Sequence, residues 1–93
     1  MIIGSCRIVL EIPGNNSLKG KRMVIRSLKD RLRNRFNVSV AEVEEMDNHQ
    51  RAVLGVAYVT NSKRHANQVM DQVIGFVESE GRAYLVDYAI EIL

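Results

Sequence analysis

"RAVLGVAYV", residues 51–59, is the stretch whose reading decides the fold. Ala52, Leu54, Val56 and Tyr58 alternate with Val53, Ala57 and Val59, so a strand built from it is apolar on both faces. A polar break of Asp47, Asn48, His49 and Gln50 precedes it, and Thr60, Asn61 and Ser62 follow with side chains suited to capping a helix. Whichever face of this strand turns inward, the other leaves an apolar patch on the sheet. That pattern predicts self-association, as a homodimer or higher oligomer, through the open sheet face or the edge of the second strand.

Working outward gives five more elements. On the C-terminal side, Ala66, Val69, Met70, Val73 and Val77 form a helical stripe, and Gly81 is expected to stop that helix. A last strand follows from about Ala83 to Ile92, with Tyr84, Val86, Tyr88, Ile90 and Ile92 expected on one face and Asp87 and Glu91 on the other. On the N-terminal side, Val38–Val43 reads as a β-branched strand whose alternation slips between Val40 and Ala41, predicting a bulge there. Before it, Ile25, Leu28, Leu32 and Phe36 recur at helical spacing with Val24 alongside, and Ser17 is placed to cap that helix. Pro13, Gly14, Asn15 and Asn16 make the loop after a first strand that alternates from Ile2 to Ile12. The order βαββαβ with right-handed crossovers predicts an α+β fold: a ferredoxin-like sandwich, one antiparallel four-stranded sheet with both helices on one face. Ninety-three residues make one such domain, 1–93.

Composition sets the setting. Apolar residues are 46% and charged residues 26%, an ordinary globular balance. The first residues lack a basic leader and a small-residue cleavage site, and Arg7 and Glu11 break their apolar run, so neither a signal peptide nor a membrane span is expected. One cysteine, Cys6, cannot form an internal disulfide, which fits a reducing cytoplasm. Cys6 shares its strand face with Ile8 and Leu10 and is assigned to the core.

The net charge of +2 hides a division within the chain. "SLKGKRMVIRSLKDRLRNRF", residues 17–36, holds eight of the thirteen bases and one acid, Asp30, whereas residues 36–93 hold four bases against nine acids. On a helix, Arg22, Arg26, Lys29 and Arg33 form a ridge beside the apolar stripe, and Arg31 and Arg35 flank its other side. Such arginines and lysines also serve simply to cover apolar edges. Lys19, Lys21 and Arg22, however, oppose the helix dipole at roughly 0.3–1 kcal/mol each, and a helical Gly20 costs about 1 kcal/mol relative to alanine. Ser17, the free N–H groups of the first turn, Lys19, Lys21 and Arg22 therefore compose a candidate anion site, and Arg26, Lys29 and Arg33 extend it into a track suited to a nucleic-acid backbone. No aromatic except Phe36 is near enough to read bases.

"SLKGKRMVIRSLKDRLRNRFNVSVAEVE" followed by "QRAVLGVAYVTNSKRHA" resembles the YlxP-like family of small bacterial proteins over essentially the whole chain. The resemblance implies a ferredoxin-like fold and, from the family's frequent placement among translation and ribosome-maturation genes, an RNA-related role. It implies no catalytic residues.

Other chemistry carried by this fold is disfavoured. The first and third strands lack the aromatic platforms of an RNA-recognition motif, Cys6 lacks the second cysteine of a copper carrier, and "PGNNSLKGKR" lacks the glycine-rich cradle of an acylphosphatase. His49 and His65 have no partners at metal-ligand spacing, and Glu42, Glu44, Glu45 and Asp47 read as an acidic strand edge rather than an acid–base pair. No cofactor or metal is called for. The expectation is a non-enzymatic module associated with RNA or the ribosome, with a homo-oligomeric interaction domain and a small-ligand-sensing domain as alternatives.

Overall fold

The computed structural model describes residues 1–93. Its elements are β1 (Ile2–Glu11), α1 (Leu18–Arg35), β2 (Ser39–Glu44), β3 (Arg51–Thr60), α2 (Lys63–Glu78) and β4 (Tyr84–Ile92). All strand pairs are antiparallel in the order β2-β3-β1-β4. This is the ferredoxin-like sandwich expected from the alternation.

One core fills the space between sheet and helices. Cys6, Ile8, Leu10 and Ile12 join Leu54, Val56 and Val40 from the sheet with Ile25, Leu28 and Leu32 of α1 and Val69, Met70, Val73, Ile74 and Val77 of α2. Removal of these side chains from water is the main stabilisation available to a domain this small. Burial also pushes the Cys6 thiol up to about 11, which leaves it an inert core group at neutral pH.

β3 turns Leu54, Val56 and Tyr58 toward the helices, leaving Val53, Ala57 and Val59 on the open face. That face is not uniform. At one end, Ile3, Val59 and Leu93 meet across adjacent strands beside Ala57 and Ser5, whereas toward the other end Arg7 binds Glu44 with two hydrogen bonds and Arg51 pairs with Glu11. These ion pairs lie over Val9 and Val53, which are buried although they belong to the open side.

Three boundaries differ from the sequence reading. The bulge in β2 falls between Glu42 and Glu44, not between Val40 and Ala41, so Val43 is the extra residue and packs against the bare Cα of Gly55. β4 carries a second irregularity: Asp87 opposes Val9 but Leu85 opposes Leu10, which puts Leu85 inward and leaves Tyr84 opposite Glu11 on the open face, opposite to the expected side. α2 stops before Gly81. Ser79 closes it, its N–H and hydroxyl both donating to the carbonyl of Phe76.

Candidate nucleic-acid interface

Ser17 caps α1 as expected: its hydroxyl accepts from Gly20 N–H at 3.0 Å. Asn15 of the preceding loop lies over part of the first turn. Asn15 donates to the carbonyls of Ser17 (2.8 Å) and His49 (2.5 Å), lying so close over the helix that a Cβ on Gly20 would sit 2.3 Å from Asn15 Oδ1. Gly20 is therefore there for Asn15, and its helix-propensity cost is a packing cost.

Lys21 requires the larger correction. It is not part of an anion site but a core residue, 1% exposed. Its ammonium donates to the carbonyls of Glu45 (2.7 Å), Met46 (3.3 Å) and Arg51 (3.1 Å) and lies 2.9 Å from Glu42 Oε2, a buried oxygen with no other partner. The β2–β3 loop is thus pegged to α1, and within it Glu45 holds a left-handed φ of 63° that few non-glycine residues adopt. The signal for this pair was present. Lys21 precedes Ile25 and Leu28 by four and seven residues, on the apolar stripe, and Glu42 continues the alternation of Val38 and Val40. Opposite charges on two faces that must meet find each other there.

The remaining cations divide by partner. Arg33 donates to the carbonyl of Val40 at 2.9 Å and lies 3.6 Å from Asp30. Arg31 pairs with Glu80, a carboxylate only 5% exposed, and Arg35 stacks 5.8 Å from the Phe76 ring centre. Arg82 lies off the basic ridge, donating to Ser27 Oγ of α1 at 2.9 Å while approaching Glu80. Lys19, Arg22, Arg26 and Lys29 take part in none of the ion pairs of the chain. Lys19, Arg22 and Arg26 are exposed, and Lys29 is half-buried. An open depression of about 630 Å³ lies along this side of α1, lined by Lys19, Arg22 and Arg26, with Arg31 across from them and Met23, Ser27 and Asp30 between.

The acidic edge is likewise divided. Glu42 is consumed by Lys21, while Glu44, held by two hydrogen bonds from Arg7, has its carboxyl lowered below the usual carboxylate range and raises the guanidinium in turn. His65 is exposed with its ring edge against Tyr58, and His49 is exposed in the pegged loop. No group of three or more His, Cys, Asp or Glu side chains is arranged to hold a metal ion, and no helix is long and apolar enough to cross a membrane.

Solved structures with this topology include a de novo designed protein with ferredoxin fold, which superposes with a TM-score of 0.52 at 7% identity over all of this chain and 84% of the design. A dimeric ferredoxin-like protein from an uncultured marine organism gives 0.44 at 10% identity over 100% and 94% of the two chains. Among sequences, the uncharacterized protein YlxP of Bacillus subtilis (strain 168) is 36% identical over 63 residues, 68% of each chain. Residues 3–90 match the family described as protein of unknown function DUF503, and with the YlxP relationship this makes the chain a member of the DUF503, YlxP-like family.

Proposed function

We propose that this protein is a non-enzymatic RNA- or ribosome-associated module that holds a phosphate backbone on the outer face of α1. The observation that supports the reading is the unpaired set Lys19, Arg22, Arg26 and Lys29, in a chain where the other cations of α1 each have an oxygen or a ring to answer them. Unpaired arginines along one helix face raise the local potential and release counterions when phosphates replace them. Ser17, Lys21 and Arg33 serve the fold, so the track rests on the four free side chains.

A pulldown of the tagged protein from native lysate, with and without nuclease and at two salt concentrations, tests this. Ribosomal or RNA-bound material should be recovered at low salt and lost on nuclease treatment. Capture that survives both treatments, or recovery of no RNA at all, refutes the reading.

A second reading is self-association. It is favoured by the apolar end of the open face, where Val59 and Leu93 are 60% and 65% exposed beside Ile3. The internally paired charges confine such a contact to that end. Light scattering at micromolar concentrations should then give at least twice the 10.5 kDa of one chain, and a monomer across that range removes the reading.

A further inference from the structure

Resting on the phosphate-backbone reading, we propose that α1 straddles a groove of double-stranded RNA, one row of cations to each strand. At about 100° per residue, the free Lys19, Arg22, Arg26 and Lys29 lie on one flank of the helix. Arg31 and Arg35 lie on the other flank, about 180° away, and the α2–β4 turn adds Arg82 to it through Ser27. Arg31 and Arg82 share the one carboxylate of Glu80, and Arg35 lies over the Phe76 ring with no acid, so this row keeps a net positive charge. Lys19, Arg22 and Arg26 of the first row and Arg31 of the second border the open depression whose middle is Met23, Ser27 and Asp30. A single cationic stripe would suit any polyanion. Two rows across one helix of about 10–12 Å diameter suit two backbones.

The chemistry between the rows selects among nucleic acids. Binding of single strands without sequence preference relies on aromatic side chains for base stacking, and this face has none. Phe36 and Phe76 meet edge to face at the core edge, Tyr58 is against His65, and Tyr84 and Tyr88 are on β4. A-form RNA presents a wide, shallow minor groove displaying 2′-hydroxyls, which are both donors and acceptors. Midway along α1, Ser27 and Asp30 offer a hydroxyl that accepts from Arg82 and an exposed carboxylate 3.6 Å from Arg33, and Asp30 is an acid that a purely phosphate-facing surface would exclude. A 2′-hydroxyl gives that carboxylate a donor.

Fluorescence anisotropy with a labelled RNA duplex, its two separate strands and the DNA duplex of the same sequence tests this in one buffer. The RNA duplex should bind at least about tenfold more tightly than the strands or the DNA, as expected if both backbones and the 2′-hydroxyls are engaged. Arg82→Gln and Arg35→Gln, which leave the Arg31–Glu80 pair in place, should each lower the salt slope for the duplex by about one and leave the strands unaffected. Circular dichroism verifies that both variants fold. Equal affinity for single strands or for DNA, or unchanged duplex slopes in both folded variants, overturns the straddling geometry and leaves the α1 track standing. Failure of every RNA to bind overturns the track as well.

Discussion

Lys21 and Arg22 are adjacent, identical in charge and opposite in environment. The first is buried with four oxygens around its ammonium, and the second is exposed with none. One helical turn thus carries both a structural cation and a free one, separated by the 100° step of the helix. The difference teaches that basic residues near a helix start are not one population. Those on the apolar stripe are fixed by the sheet, and only those off it remain for a partner.

The largest effect expected from breaking this contrast is at Lys21. Lys21→Met should destabilise by about 3–5 kcal/mol, because it leaves the buried Oε2 of Glu42 and three backbone carbonyls without their donor. Adding Glu42→Gln should recover a good part of that loss, since removing both charges avoids the stranded one. Chemical denaturation measures both, and a loss below about 1 kcal/mol for the single variant would show that the loop is not held by this peg.

Next comes Gly20→Ala. Helix propensity alone favours the substitution by about 1 kcal/mol, but the new Cβ displaces Asn15 from its two carbonyls. We expect a net loss of about 1–2 kcal/mol. In an Asn15→Ala background the same change should become stabilising, and if it does not, crowding by Asn15 is not the reason for glycine.

On the outer face, Arg22→Ala and Arg26→Ala should each change stability by less than about 0.5 kcal/mol, as surface residues without partners do. A larger loss by thermal denaturation would mean that these side chains support the fold.

The smallest effect is on the open sheet face. Arg7 hydrogen-bonds Glu44 and lowers its carboxyl, so this pair stabilises the fold above the ordinary glutamate pKa and ceases to do so as pH falls through the lowered one. In Arg7→Ala the Glu44 titration followed by NMR should move up toward the ordinary value. An unmoved titration would assign the lowering to other groups.

What the sequence made legible follows the same division. The elements and their order were readable because periodicity is local: Ile25, Leu28 and Leu32 need only one another to define a stripe. The bulges at Val43 and between Leu85 and Asp87 depend on how a partner strand is registered, which no single strand encodes. Lys21 with Glu42 lay between these cases, visible as two charges on apolar faces but paired only by the packing of α1 on β2. Arg82 could not be placed on α1 at all, since 55 residues separate it from Ser27.

The most direct measurement of the central claim is the salt dependence of RNA binding for the wild-type chain and for Arg22→Glu/Arg26→Glu. Engagement of four phosphates predicts a slope of log affinity against log salt of about −2.8 to −3.6, or a loss of about 50- to 150-fold between 50 and 200 mM salt. The charge-reversed variant should keep its circular dichroism spectrum and lose binding at every salt concentration. A folded Arg22→Glu/Arg26→Glu variant with wild-type affinity and slope would contradict the account and return the outer face of α1 to ordinary solvated surface.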